Sequence, residues 1–288
     1  MEKIVVGFLG CGNIGCGVYK LLETYGAQIE ENEGVGFEVR KILVRSLNKS
    51  RAWAIPSTLL TDRPEDVLDN PEIDMVMEFM GGEQPAASYM VRALENGKCV
   101  ITANKMALAT HGRRSSAPRA STPPGCITKR ACAAPVPIIR AINGSLQANR
   151  ISSVMGIING TTNYILTRMA NEGAAYADVL ADAQRLGLAE PDPTADVEGY
   201  DAAYKLSILS TLAFHRHVPV ENVYRGRNHG RHAAGRAVRQ GVWADAQAAG
   251  RSRRQKTARF RRVCIRRLCR TAHPLAGVND AFNAVFVK

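Results

Sequence analysis

Two groups of residues in this 288-residue chain have the types and spacing that chemistry needs. The first is Gly10-Cys11-Gly12-Asn13-Ile14-Gly15, a GxGxxG run set directly after the apolar stretch Ile4 to Leu9 and directly before a helical pattern. Gly10 permits a tight turn there. Gly12 lets a pyrophosphate approach the backbone, with Asn13 and Ile14 at the N-terminus of the helix that faces it. Gly15 lets helix and strand pack closely. The alternative is a glycine-rich turn with no ligand. The second group is Asp201 and Lys205, four residues apart on one helical face. Alone they are a surface ion pair worth roughly a few tenths of a kcal/mol. Beside the acidic loop Glu190 to Asp196, the alternative to that surface pair is a site. Glu190 and Asp196 suit a substrate ammonium, and Lys205 suits an oxyanion that develops during reaction. Lys105 follows Ala103-Asn104 at the C-terminal edge of a short strand, where open parallel sheets bind ligands. It is either a cofactor or substrate contact or an exposed loop lysine.

These residues need elements to hold them. After the glycine loop, Ile14, Val18, Leu21 and Leu22 share a helical face, and Glu23 to Gly36 reads as a helix end plus polar loop. Phe37 to Val44 is a second strand. Arg45, Ser46, Lys49 and Arg51 follow it, where an acid would otherwise hold the ribose of NAD. Cations there favour the 2′-phosphate of NADP, and a solvated basic loop is the alternative. Pro64 to Leu68 is a short helix and Ile73 to Phe79 a buried strand. Glu83 to Asn96 is a helix with Ala87, Met90, Val91 and Leu94 inward and Gly97 as its stop. Val100 to Thr102 is a strand. Farther on, Ile151 to Ile158 is a strand, Asn159 to Thr162 a turn and helix cap, and Tyr164 to Glu172 and Tyr176 to Arg185 are helices. Val197 to Phe214 reads as one long helix with Ala203, Leu206, Leu209 and Ala213 buried. The fold class is α/β: a Rossmann-type dinucleotide-binding domain over 1–135, then an α+β substrate and dimerisation domain over 136–271.

The chain is long enough for two cores. No apolar run reaches membrane-spanning length, and acidic Glu2 opens a strand rather than a signal peptide. Seven irregularly spaced cysteines in such a fold indicate a reducing, cytoplasmic setting rather than a disulfide framework. His215 and His217 form no metal spacing. The net charge of +12 is concentrated in two windows: Gly226 to Thr271 carries +13 and Gly112 to Pro135 carries +5, leaving −6 elsewhere. Neither window has helical period, a recognised nucleic-acid motif or aromatics beyond Trp243 and Phe260, so no nucleic-acid partner is expected.

The segments GFLGCGNIG, TANKMALATHG, PIIRAINGSLQANRISSVMGIINGTTNYILTRM, GLAEPDPTADVEGYDAAYKLSIL and AHPLAGVNDAFNAVF together resemble the bacterial homoserine dehydrogenases. The resemblance covers most of residues 3–111, 136–225 and 272–287. It implies reversible reduction of L-aspartate 4-semialdehyde to L-homoserine with NADP or NAD, on the route to threonine, methionine and isoleucine. It implies Gly10 to Gly15 around the cofactor pyrophosphate and Lys105 near nicotinamide and substrate. Glu190, Asp196 and Asp201 would surround the substrate amino end, with Lys205 as acid/base. The partner is then a small molecule, and the assembly a homodimer or homotetramer. An inactive fragment or cofactor-binding pseudoenzyme of the same family is the alternative, and a basic nucleic-acid-binding protein a distant one.

The chain departs from the family pattern in three places. Lys129 stands where relatives carry a glutamate that helps hold a structural monovalent cation, with Cys132, Ala134 and Val136 as backbone ligands. Gly226 to Thr271 is arginine-rich where relatives are helical and moderately acidic. The family also continues beyond Lys288, so 272–288 reads as the start of a return to the nucleotide domain. Both basic windows lose hydrophobic period abruptly, contain almost no acid, and give way to family pattern in register at Val136-Pro137-Ile138 and Ala272-His273-Pro274. They read as out-of-frame translations of an ordinary gene, too poor in apolar surface to order themselves.

Overall fold

In a computed structural model the chain divides into two compact units, Met1–Lys129 and Arg130–Lys288. The structure describes residues 3–111, 136–223 and 273–288, and the backbone alone of 112–115, 126–128, 243–247 and 264–265.

The first unit runs β1 (Lys3–Leu9), α1 (Asn13–Glu33), β2 (Gly36–Leu43), β3 (Leu60–Thr61), α2 (Glu65–Leu68), β4 (Met75–Glu78), α3 (Ala86–Glu95), β5 (Cys99–Thr102), α4 (Lys105–Ser115) and β6 (Cys126–Thr128). Among the described residues its sheet is six-stranded and parallel throughout, in the order β3-β2-β1-β4-β5-β6. That is the doubly wound order, and its reversal falls between β1 and β4. Strand side chains alternate between two covered faces. Val6 and Phe8 pack with Tyr19 and Ile42, whereas Leu9 packs with Val67, Leu68, Val76, Met90 and Ala107.

Helix α1 differs from expectation twice. It runs unbroken through Glu23–Glu33, because this stretch contains good helix formers and Gly34, at φ +73°, supplies the left-handed stop. Its buried face is Gly15, Cys16 and Tyr19, while Ile14 is 57% exposed and Leu21 48%. Gly15 and Cys16 allow close approach to the sheet, and Tyr19 is buried beside them. Of the expected inward residues, Val18 and Leu22 pack at the core margin while Ile14 and Leu21 turn outward. In α3, Ala86, Ala87, Met90 and Ala93 are buried, with Leu94 packed at the margin.

The second unit runs α5 (Ile138–Arg140), which continues as a π-turn over Ala141–Ser145, then β7 (Ser153–Ile157), α6 (Gly160–Glu172), α7 (Tyr176–Arg185), α8 (Thr194–Val197), α9 (Tyr200–Ala213), β8 (Trp243–Gln247), β9 (Cys264–Ile265) and β10 (Ala284–Val287). Its described strands form an antiparallel sheet ordered β10-β7-β8-β9. The expected single helix from Val197 is broken: Gly199, at φ +76°, separates α8 from α9, so the acidic loop ends in a helical turn of its own. Residues 273–288 belong to the second unit. They add β10 beside β7 and fasten to α6, where Asn163 Nδ2 donates to the carbonyls of Val278 and Phe282. Four described segments, the last turn of α4 (112–115), β6, β8 and β9, fall inside the two basic windows. Main-chain pairing with β5 and β7 is indifferent to side-chain charge, so strand geometry there needs no hydrophobic period. The remainder of both windows lies outside the described residues, and with it the expectation that they stay unordered.

Candidate active site

The glycine loop is built by its backbone. Gly10 has φ +97°, and a Cβ on it would sit 3.1 Å from the main chain at Phe79 and Met80. The ends of β1 and β4 therefore touch at the point where the strand order reverses. A Cβ on Gly15 would lie 2.6 Å from the Gly10 carbonyl oxygen, so this glycine is needed to close the loop against the helix. A Cβ on Gly12 would meet nothing within 4 Å. The first intrahelical bond runs from Cys16 N to the Gly12 carbonyl at 2.8 Å, so the amides of Asn13, Ile14 and Gly15 precede the ladder at the positive end of α1. Only Gly12 is thus spared by the chain's own packing. The cradle fits a dinucleotide pyrophosphate.

Between these glycines, Cys11 Sγ lies 3.3 Å from Cys16 Sγ. Burial, reinforced by the neighbouring Cys16 thiol, pushes the Cys11 thiol up to about 12. Past β2, Arg45 is exposed, but Arg51 is committed to the loop itself. Its guanidinium donates to the carbonyls of Ser46, Leu47 and Lys49 at 2.7, 3.3 and 2.9 Å. Of the cations expected near a 2′-phosphate, Arg51 therefore shapes the loop.

Lys105 is not a loop residue. It opens α4, and Asn104 caps that helix through Oδ1, which accepts from Ala107 N at 3.1 Å. Asn104 is itself seated by its Nδ2, which donates to the Gly82 carbonyl at 2.6 Å, and by its N–H, which donates to Thr102 Oγ1 at 2.9 Å. Thr102 Oγ1 in turn donates to Glu78 Oε2 at 2.5 Å, and Met80 N donates to Glu78 Oε1 at 2.7 Å. Glu78, with no exposed surface, ties the ends of β4 and β5 together just ahead of α4 in the chain. The reading above missed Glu78. Its one signal was an acid closing an otherwise apolar strand.

In the second unit the predicted carboxylates and lysine converge. Lys205 Nζ lies 2.6 Å from Asp201 Oδ2, and both residues are 7% exposed. This excludes the exposed surface pair as their description. Lys205 Nζ also donates to the Ile158 carbonyl at the end of β7, at 2.5 Å. Asn159 Nδ2 donates to Asp201 Oδ2 at 2.9 Å and to Asp196 Oδ1 at 2.7 Å, which joins α8 and α9 at one point. Glu190 is exposed at the start of the loop, where its carbonyl accepts from Gln184 Nε2. Of the expected substrate residues, Asp196, Asp201 and Lys205 are thus brought together. Glu190 heads the same loop.

Residues 137–288 match the family profile described as homoserine dehydrogenase, more than half of the chain, and residues 10–120 match that of the homoserine dehydrogenase NAD binding domain. The chain belongs to the homoserine dehydrogenase family. Curated relatives include the homoserine dehydrogenase of Mycobacterium tuberculosis, 38% identical over 100% of this chain and 66% of the relative. That of Bacillus subtilis is 40% identical over 77% of this chain and 52% of the relative. Among solved structures, a homoserine dehydrogenase from Thiobacillus denitrificans superposes with a TM-score of 0.86 at 38% identity, over 100% of this chain and 66% of that one. One from S. aureus gives 0.83 at 31% identity, over 100% and 69%. The chain thus spans between about half and two thirds of the length of the curated relatives named here.

The family's dinucleotide unit coincides with the doubly wound sheet, and its remaining profile with the unit that holds Asp196, Asp201 and Lys205. Among the described residues no helix is long and apolar enough to cross a membrane. No group of three or more His, Cys, Asp or Glu side chains there is placed to hold a metal ion. Lys129, Cys132 and Ala134 of the expected cation site lie outside the described residues, and Val136 alone is described.

Proposed function

We propose that this chain interconverts L-aspartate 4-semialdehyde and L-homoserine with NADP or NAD, acting in the cytoplasm as a homodimer or homotetramer. The observation that carries the reading is the buried Asp201–Lys205 pair, hydrogen-bonded through Asn159 to Asp196 in a member of this family. A burial cost of this kind is seldom kept without a use.

The glycine loop and the first turn of α1 hold the pyrophosphate. Arg45 and Lys49 stand on the loop where a 2′-phosphate would lie, which favours NADP. The bound dinucleotide supplies or accepts the hydride. Everything else falls to side chains. Asp196 and Glu190 take the substrate ammonium, leaving its aldehyde oxygen to Lys205. As charge grows on that oxygen, the Lys205 ammonium stabilises it and donates a proton from Nζ; in the reverse direction Nζ removes the hydroxyl proton. Asp201 and the Ile158 carbonyl fix Nζ in place meanwhile. Lys105, seated by the Glu78–Thr102–Asn104 chain, serves as a second cation toward cofactor and substrate.

The test is turnover of the purified chain with NADPH and the semialdehyde, followed by NADPH absorbance. Lys205→Ala should lower kcat by roughly 10²-fold or more, the scale for losing a positioned acid. Turnover near wild type in that variant would remove Lys205 from the mechanism. A nucleic-acid-binding role finds no support in the placement of these residues.

A further inference from the structure

We propose that Asn159 is a positioning residue for the reaction, holding Asp196 and Asp201 in register with Lys205 so that proton transfer occurs at a fixed Nζ. This rests on the reading of Lys205 given above.

Asn159 is 4% exposed and uses its side-chain capacity in full. Its Oδ1 accepts from Thr162 N at 2.9 Å and from Thr162 Oγ1 at 2.7 Å, which caps α6. Its Nδ2 sends one bond to Asp196 Oδ1 and the other to Asp201 Oδ2. Three elements therefore meet on one amide: the N-terminus of α6, Asp196 on α8 and Asp201 on α9. Asp201 Oδ2 is shared, because Lys205 Nζ approaches the same oxygen.

The residue type follows from the charges. Two carboxylates converge here, and each repels the other. A cation between them would compete with Lys205 for Asp201. A carboxylate would add a third negative charge. A hydroxyl could donate to only one partner. An amide is neutral and donates twice from one nitrogen, so it bridges both acids without neutralising either. Lys205 remains the cation that Asp201 faces. Gly160, next in sequence, shows how tightly the cap is seated: a Cβ there would lie 2.6 Å from the Ala281 carbonyl oxygen.

The two jobs of Asn159 can be separated. Asn, Asp and Ser cap helices about equally well, so Asn159→Ser and Asn159→Asp keep the acceptor for Thr162 N while removing both amide donors. In Asn159→Ser, kcat should fall by roughly 10- to 10²-fold, the effect of a displacement near 1 Å at a reacting group. Substrate KM should rise as Asp196 drifts. The melting temperature should fall as well, because two buried bonds to carboxylates are lost, so kinetics are compared at a temperature where both proteins are folded. Asn159→Asp should lose more activity than Asn159→Ser despite an equivalent cap. The deciding readout is a pair of double-mutant cycles. Added to Lys205→Ala, Asn159→Ser should cost little further kcat. Added to Asp196→Ala, it should cost little further KM. A purely structural role would multiply the losses in both cycles. An active wild type with an unaffected Asn159→Ser, or with multiplying losses, overturns the proposal alone. A wild type without turnover overturns the reading of Lys205 and this proposal together.

Discussion

Replacing Gly12 by Val tests the cofactor cradle apart from the fold. Gly12 sits at φ −86° and ψ −156°, within reach of an L-residue, and a Cβ there meets no atom within 4 Å. The chain itself resists the new side chain only through the weaker N-cap preference of Val, at most about 1 kcal/mol. A bound pyrophosphate would meet it directly. Losing two charge-assisted bonds to the first-turn amides, at about 1.5–3 kcal/mol each, removes roughly 3–6 kcal/mol of binding. That is about 10²- to 10⁴-fold in Kd. Gly15→Ala should behave in the opposite way. Its Cβ falls 2.6 Å from the Gly10 carbonyl oxygen, so the unliganded protein must distort. Overpacking of this kind costs about 1–3 kcal/mol. Fluorescence titration with NADPH, combined with melting curves with and without cofactor, separates the two. Wild type should gain about 2.7 kcal/mol at a cofactor concentration 100-fold above its Kd, and Gly12→Val at most about 0.4 kcal/mol at the same concentration. A Gly12→Val protein with near wild-type NADPH affinity, or one that melts as early as Gly15→Ala without cofactor, would refute the assignment of these two glycines.

Two further predictions follow from other parts of the chain. Cys11, with its thiol near 12, should resist iodoacetamide: its charged form is the one burial disfavours, so at pH 8 only about one molecule in 10⁴ carries the thiolate. Labelling should climb about tenfold for each pH unit below that value, and alkylation at the rate of an exposed cysteine, read by peptide mass spectrometry, would contradict it. The coding DNA across 112–135 and 226–271, translated in its other two frames, should yield an acidic segment of the YYEASV type before Pro137. Three frames with nothing family-like would show the basic windows to be genuine.

Local chemistry settled much of this protein in advance. A GxGxxG run between an apolar strand and a helix allows few backbone geometries: Gly10 turns at a positive φ and Gly15 must pass the Gly10 carbonyl oxygen, while the contact of Gly10 with Phe79 and Met80 is made only in the fold. Several helix stops were equally legible, since Gly97 and Gly187 mark ends that any side chain would strain, whereas the stop at Gly34 was hidden in what read as a polar loop. The spacing of Asp201 and Lys205 placed them on one face, but spacing alone could not tell a solvated pair from a buried one. Burial depends on what packs over a helix, and here that includes the end of β7, more than forty residues away in sequence. The same holds for Asn159, legible as a helix cap yet not as the bridge between Asp196 and Asp201. Its two donor bonds span 37 and 42 residues. Glu78 reads as a lone acid until β4 and β5 lie side by side and Thr102 reaches its carboxylate. Hydrophobic period and turn chemistry act over a few residues and can be read from the chain. Which polar groups share a buried point is fixed only when distant segments close around it, because only there does an unpaired donor or charge become costly.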